Sequence, residues 1–265
     1  MKNRLLSILT LALLSVSNLQ AQTFNNLFRT KDRPERLEEQ DLQKFSYGFY
    51  LAGNNFDYKL VLNPIFGMDG RQSLVTTKSS YSFGAGLIAK FRLNEFFDLR
   101  VEPGLHFVER EMIFNTFDHV SQFAGGTNSN QPFVPITPTD TDINKVIKST
   151  YLDVPILIEV HGDRWYNSRP YAAVGVNYLM NLQSNQTSSD DNQQNIFRST
   201  SHNFGWTAEL GLQFYFGRFK LTPAVRGTFF MNNELVTDNQ QTPPYWTPAI
   251  STMQSRALMF VLKFE

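Results

Sequence analysis

Apolar and polar residues alternate along most of the chain from Lys44 onward. In the segment 81–91 every odd-numbered residue is Tyr, Phe, Ala or Leu, whereas the even-numbered positions hold small or polar residues apart from Ile88. A period of two is typical of a β-strand whose two faces meet different surroundings. Most of the segments are near the length that a tilted strand needs to cross a bilayer. The pattern predicts eight strands, at residues 44–53, 81–91, 97–107, 152–160, 171–182, 204–216, 219–229 and 257–264.

The connections between these strands are alternately long and short. The long ones are residues 54–80, 110–148, 183–202 and 232–252, and the short ones are 92–96, 161–170 and 217–218. Outer-membrane barrels have this asymmetry, with short periplasmic turns and long extracellular loops. We therefore predict an all-β, eight-stranded, antiparallel up-and-down transmembrane β-barrel of the outer-membrane type, with both termini periplasmic. A soluble β-fold shares the alternation and is the alternative.

Phenylalanine is concentrated where the predicted strands meet the short turns. Aromatic residues collected at one height along a barrel are typical of the girdle at a membrane interface. This placement favours the membrane barrel over a soluble fold. The residues concerned are Phe45, Phe91, Phe97, Phe216, Phe219 and Phe264.

Composition agrees with a membrane surface and excludes several other classes. Charged residues make up 18% of the 265 residues, whereas soluble domains carry about 25%. The 24 basic residues are balanced by 24 acidic ones, which argues against a nucleic-acid partner because phosphates require a clustered basic surface. The chain has no cysteine, so disulfides, thiolate metal sites and a cysteine nucleophile are excluded.

The first 43 residues differ from the rest. Residues 1–21 have a basic start, an apolar run from Leu5 to Val16 and a small residue, Ala21, before Gln22. This layout predicts a secretory signal peptide, with an uncleaved helical anchor as the alternative. Residues 22–43 are polar and charged and are predicted to form a periplasmic arm, either a tether or a docking segment. Residues 44–265 are predicted to form the barrel.

The predicted strands place charged residues of both signs on the face opposite the apolar one. An eight-stranded barrel is just wide enough to be filled by its own side chains. We expect a salt-bridged interior rather than an ion-selective channel, because a selective pore usually shows an excess of one sign. The predicted inward residues are Lys90, Arg92, Arg100, Lys220, Arg226 and Lys263, opposed by Asp98, Glu102, Asp153, Glu159 and Glu209.

Candidate enzyme and metal residues are weak. Glu102 and His106 share the inward face, but at four residues apart they lie about 13 Å from each other along a strand. No nucleophile motif accompanies His106, so a buried structural histidine is predicted. His119, His161 and His202 lack ligand spacing, and the spacing of the loop aspartates fits no calcium loop. We predict no catalytic residue, no cofactor and no metal site; the loop aspartates are Asp140, Asp142, Asp190 and Asp191.

Several segments resemble the PorT family of outer-membrane barrels, called SprT in gliding bacteria. Together they cover every predicted strand in order, and the combination with FGW and the final segment is the more specific part. The segments are YGFYLAGNNFDYKL (47–60), RLNEFFDLRVEPGLHF (92–107), STYLDVPILIEV (149–160), RPYAAVGVNYLMNL (169–182), FGWTAELGLQFYF (204–216), FKLTPAVRGTF (219–229) and FVLKFE (260–265).

The resemblance implies a component of the type IX protein secretion system. That machinery exports proteins with a carboxy-terminal sorting domain and, in gliding species, delivers surface adhesins for motility. The family has no recognised catalytic residues, so the resemblance implies a protein that is not an enzyme. Its partners would be outer-membrane lipid and other type IX secretion components. The alternative is a generic outer-membrane barrel for envelope stability or surface ligand binding. One departure is Glu265 after Phe264, since such barrels commonly end on an aromatic residue.

Overall fold

The computed structural model describes residues 42–64, 67–69, 72–114, 143–189, 196–239 and 247–265. The predicted signal peptide and nearly all of the predicted arm therefore lie outside the described residues. Among the described residues, no helix is long and apolar enough to cross a membrane. The strands are β1 (Phe45–Leu62), β2 (Met68–Asp69), β3 (Gln72–Ser73), β4 (Val75–Ser79), β5 (Tyr81–Arg92), β6 (Phe97–Val101), β7 (Gly104–Phe114), β8 (Asn144–His161), β9 (Ser168–Asn181), β10 (His202–Tyr215), β11 (Lys220–Phe230) and β12 (Ile250–Phe264).

Ten of these strands form one closed antiparallel sheet. Strand β1 pairs with β12 on one side and with β5 on the other, which joins the two edges of the sheet. Only Ser80 separates β4 from β5, and only Glu102 and Pro103 separate β6 from β7. The ten strands therefore make eight crossings, because two crossings are interrupted. The predicted all-β, antiparallel, up-and-down barrel is confirmed. Strands β2 and β3 form a separate hairpin.

The connections fall at opposite ends of the barrel according to their length. Short connections, at residues 93–96, 162–167 and 216–219, lie at one end, which we call the turn end. Long connections lie at the other, the loop end, and comprise residues 63–74, 115–143, 182–201 and 231–249. Residues 44 and 265 both lie at the turn end, beside the β5 and β11 termini. The predicted alternation of long and short connections is confirmed.

Three predicted loops are too long, because strands continue into them. Strand β1 runs to Leu62, β7 runs to Phe114 and β8 begins at Asn144. In these extensions the polarity of the two faces is exchanged: Asp57 and Glu109 point outward, whereas Tyr58 and Met112 are buried inside. An outer face in water and an inner face packed against other side chains require this pattern. It differs from the pattern in the rest of the barrel, so the sequence suggested loops.

The outer surface between the two ends is a continuous band of apolar side chains, which we call the apolar belt. At its turn-end edge the predicted phenylalanine girdle is present. Phe45 lies 4.9 Å from Phe91 between ring centroids, and Phe216 stacks on Phe219 at 5.0 Å. The rings of Phe219 and Phe264 are 6.4 Å apart. Exposed aromatic rings at one height need an apolar surrounding.

A second group of aromatic residues marks the loop-end edge of the belt. Phe83 and Phe107 lie 5.1 Å apart, and Trp206 stacks on Phe229 at 4.6 Å. Strand β11 carries Phe229 ten residues beyond Phe219. With a rise of about 3.3 Å per residue and a tilt near 40°, the two edges are about 25 Å apart, the height of the apolar band in outer-membrane barrels.

Candidate functional site

The barrel interior holds the densest group of charged side chains among the described residues. Of the eleven inward charges predicted from alternation, ten are buried in the interior. The exception is Arg92, which lies half-buried at the end of β5, where its Nε donates to the backbone oxygen of Asn94 at 3.2 Å. The prediction for Arg92 was wrong because the chain turns there, so its side chain lies over the short connection.

Two carboxylates, Glu102 and Glu209, form the centre of this interior. The Arg226 guanidinium contacts both, at 2.6 Å from Glu209 Oε2, and Lys263 Nζ also bridges them, at 2.9 Å from Glu102 Oε1. Arg100 lies on the other side, with Nη2 2.7 Å from Glu102 Oε1. A charge stays ionised in a dry interior only when opposite charges and hydrogen bonds compensate it.

The network continues toward the turn end. Arg100 also pairs with Glu159, which accepts a 2.6 Å hydrogen bond from the Gln213 side-chain amide. Below this pair, Lys90 Nζ lies 2.9 Å from Asp98, which also faces His161 Nε2 at 3.3 Å. These contacts form salt-bridged layers of balanced charge, as the sequence predicts.

Glu265 adds a contact that sequence reasoning missed. Its side chain points into the turn end of the barrel, where Oε2 lies 2.8 Å from Lys220 Nζ. Since Glu265 continues the inward row, Phe264 faces outward and stacks on Phe49 with 5.0 Å between ring centroids. The extra residue after Phe264 therefore leaves the last aromatic side chain in the girdle.

His106 lies one step toward the loop end and is fully buried. Its Nδ1 faces the Asn54 side-chain amide at 3.0 Å, and its Nε2 lies 3.5 Å from the Tyr50 hydroxyl and 3.6 Å from Asp153 Oδ2. Glu102 pairs instead with the three central cations. The expectation that these two residues do not act as an acid–base pair agrees with this geometry.

The other candidate ligands do not converge in the described part of the chain. His161 faces Asp98, and His202 Nδ1 lies 2.6 Å from the Tyr178 hydroxyl on the outer face. The described residues contain no group of three or more His, Cys, Asp or Glu side chains placed to hold a metal ion. His119 and the four loop aspartates, Asp140, Asp142, Asp190 and Asp191, lie outside the described residues.

Glu234 enters the loop end of the barrel from the connection between β11 and β12. Its carboxylate accepts hydrogen bonds from the Asn203 amide at 2.5 Å and from the Ser255 backbone N–H and hydroxyl at 2.9 Å each. Ser255 also accepts a hydrogen bond from Arg110 Nη1 at 2.9 Å, and the Arg110 guanidinium lies 3.7 Å from the Tyr58 ring centroid. Burial raises the pKa of Glu234 above its ordinary value.

An apolar cluster closes the interior beyond Arg110. Met112, Phe114 and Met253 are almost fully buried there and pack with Leu74, Val75, Ile147, Ala249 and Ile250. Apolar side chains packed across a barrel exclude water and ions from that layer. Sequence reasoning assigned Met112, Phe114 and Glu234 to loops, although the inward row His106, Val108, Arg110, Met112 keeps its period of two. That continued period was the available signal.

A closed antiparallel barrel with an apolar outer belt, two aromatic edges and a charged interior defines an outer-membrane β-barrel protein. The sequence matches the family described as outer membrane protein beta-barrel domain over residues 20–236. The chain belongs to this family, and its place is the bilayer of the outer membrane. No curated protein matches the chain.

Three solved structures show the range of similarity. The outer membrane protein OprG from Pseudomonas aeruginosa is 14% identical, with 82% of this chain and 93% of that chain covered and a TM-score of 0.39. Neisserial surface protein A is 9% identical, with coverages of 83% and 98% and a TM-score of 0.38. The outer membrane protein AlkL is 12% identical, with coverages of 90% and 92% and a TM-score of 0.36.

Proposed function

We propose that this protein is a non-enzymatic component of the type IX secretion system. In this role it supports export of sorting-domain cargo, and gliding motility in species that glide. The resemblance to the PorT family, carried by the seven segments between residues 47 and 265, is the basis for the named machinery. The proposal adds this role to the outer-membrane barrel, which the family membership shows.

The observation that carries the mechanistic part is the filled interior. The central cluster of Glu102, Glu209, Arg226 and Lys263 crosses the lumen, and the apolar cluster around Met112 crosses it again. An eight-stranded barrel filled by its own side chains leaves no room for a polypeptide. The protein therefore acts in an accessory or assembly role and is not itself the translocation channel.

The proposal also assigns an orientation. Residues 1–21 are removed as a signal peptide, residues 22–43 form a periplasmic arm, and the turn end faces the periplasm. The long connections are then extracellular. Other components of the machinery would contact the arm or these connections, because the belt between them is covered by lipid.

A clean deletion of the gene tests the proposal. The expected result is loss of sorting-domain proteins from the culture medium and their accumulation in the periplasm, with restoration by the wild-type gene. Detergent sensitivity of the deletion strain provides the control for general envelope damage. Normal export would contradict the secretion role. If export stays normal while surface adhesion or envelope integrity changes, the generic barrel for envelope stability or surface binding replaces it.

A further inference from the structure

The barrel wall opens at one place, between β5 and β7. The two strands pair from Gly86↔Gly104 up to Phe83↔Phe107, and pairing resumes only at Ser79↔Arg110 between β4 and β7. Residues 80–82 therefore face 108–109 without a ladder. Both segments remain paired on their other sides, with β1 and β8. The opening is thus a local gap in an otherwise continuous wall, since unequal numbers of residues on two strands push them apart.

A cleft of about 400 Å³ occupies this gap. Its outer part is lined by side chains of the lipid-facing surface, with Tyr81, Phe83 and Phe107 on one side and Lys148 on the other. Its inner part reaches residues of the inward face, Val108 and Ser149. The cleft therefore runs from the loop-end edge of the apolar belt into the wall, and its volume is within the range of small-molecule sites.

The inner end of the cleft contains a polar group that needs a partner. Ser149 is only 3% exposed, and its hydroxyl oxygen has no hydrogen-bond partner among the described residues. A buried hydroxyl without a partner is costly, and such groups usually bind water or a ligand. Beside it, the Ser82 hydroxyl donates to the Asn54 side chain, which in turn contacts His106. The floor of the cleft is therefore polar.

The mouth of the cleft carries one charge of each sign. Lys148 Nζ lies 3.7 Å from Glu109 Oε2, and both side chains are more than half exposed. An exposed pair of this kind contributes little to stability, so its partners are available to a ligand. An ammonium beside Glu109 and a phosphate beside Lys148 would match the two charges at this distance.

We propose that this cleft binds one zwitterionic phospholipid. The acyl chain lies against Tyr81, Phe83 and Phe107, where the belt is aromatic. The phosphoethanolamine-type head lies at Glu109 and Lys148, and a polar oxygen of the head or glycerol accepts a hydrogen bond from Ser149. Lipid is the expected occupant because the cleft opens on the face that the bilayer covers. The proposal does not depend on the secretion role.

Titration of the purified full-length protein with lysophosphatidylethanolamine, followed by native mass spectrometry, tests the site. The wild-type protein should retain one lipid in preference to further copies. Thr150→Trp places a large side chain in the cleft from the lipid-facing side and should weaken retention at least tenfold. Val154→Trp is the matched control, since Val154 lies on the same face of β8 outside the cleft. Equal retention by both tryptophan variants, or equal loss, would overturn the proposal.

Two smaller changes separate the head contacts from filling of the cleft. Ser149→Ala should weaken lipid retention about fivefold, the effect of one lost hydrogen bond, and should leave retention of dodecane unchanged. Lys148→Met should weaken retention of the lipid, whereas Lys78→Met should not, because Lys78 pairs with Glu111 outside the cleft. The heat-dependent mobility shift of a folded barrel on gels verifies each variant. Unchanged lipid retention in folded Ser149→Ala and Lys148→Met would contradict the head contacts, and binding of a peptide segment in place of lipid would reassign the cleft to a protein partner.

Discussion

Glu102 contacts three buried cations, Arg100, Arg226 and Lys263. Replacing it with Gln keeps the shape of the side chain but leaves the positive charges in excess inside the barrel. Breaking a buried ion pair by removing one partner costs about 3–5 kcal/mol. We expect Glu102→Gln to lower the free energy of unfolding in detergent by about this amount, measured by urea titration with tryptophan fluorescence.

Asp57 provides the control for this change. It pairs with Arg256 at 2.6 Å on the outer face, where the Arg256 side chain is 52% exposed. Exposed pairs contribute about 0–1 kcal/mol, so Asp57→Asn should have a small effect on the same measurement. If both variants lose the same stability, the interior network does not contribute as described.

Gly104 has a packing role on the inward face. A Cβ placed there would overlap the Tyr50 hydroxyl and lie 2.9 Å from Tyr50 Cζ, whereas a Cβ at Gly53 would have no neighbour within 4 Å. Forcing extra atoms into a packed interior costs about 1–3 kcal/mol. Gly104→Ala should therefore lower the free energy of unfolding by about that amount, and Gly53→Ala should leave it nearly unchanged. Equal effects in thermal unfolding would argue against the close contact with Tyr50.

The connection between β11 and β12 is held closed by Glu234, and this contact depends on pH. Burial raises the pKa of Glu234 in the folded protein above its ordinary value of 4.5. The folded state therefore holds this proton more tightly than the unfolded state. Its contribution to stability is fully present below pH 4.5 and is lost as the pH rises through the raised pKa.

Glu234→Gln removes this titration. Relative to the wild type, the Gln variant should gain stability as the pH is raised from 5 to 8, because only the wild type must ionise a buried group. The difference between the two free energies of unfolding at each pH is the measurement. Glu111→Gln, at a partly exposed pair with Lys78, should show no such trend, and a constant or reversed difference for Glu234→Gln would contradict the assignment.

The sequence predicted the strands best where each has one face in lipid. Strands β9, β10 and β11 were located within three residues at each end, because their outward residues are apolar over the full crossing. The extensions of β1, β7 and β8 were assigned to loops because Asp57, Glu109 and Lys148 interrupt the outward apolar row. Local pattern cannot distinguish a strand in water from a polar loop when the buried face is supplied by distant segments.

Long-range contacts were also beyond the sequence pattern. Alternation placed Glu102, Glu209 and Lys263 inside the barrel, but it could not pair residues on β11 and β12 with one in the interruption between β6 and β7. Glu234 is in a connection without periodicity, and only the folded barrel brings it to Asn203 and Ser255. The gap at Tyr81 and Ser82 depends on register, which is set jointly by two strands.

The whole molecule is expected to be electrically closed. The layers around Glu102 and around Met112 cross the lumen in succession, and fixed charges of balanced sign do not provide a selective ion path. Purified protein in planar bilayers should give no large stable conductance, with a general porin as the positive control. A stable pore of nanosiemens size would overturn both the closed interior and the accessory role.

The exchange of polarity along β7 also sets how the protein can change over evolution. Up to Phe107 the outward positions are lipid-facing, so a charge there is costly, whereas from Glu109 onward they are water-facing and Met112 and Phe114 form the packed side. A saturation scan along this strand should show tolerance to charge at every second position, with the phase shifting by one residue near Val108. The position of that shift would measure the bilayer boundary from sequence variation alone.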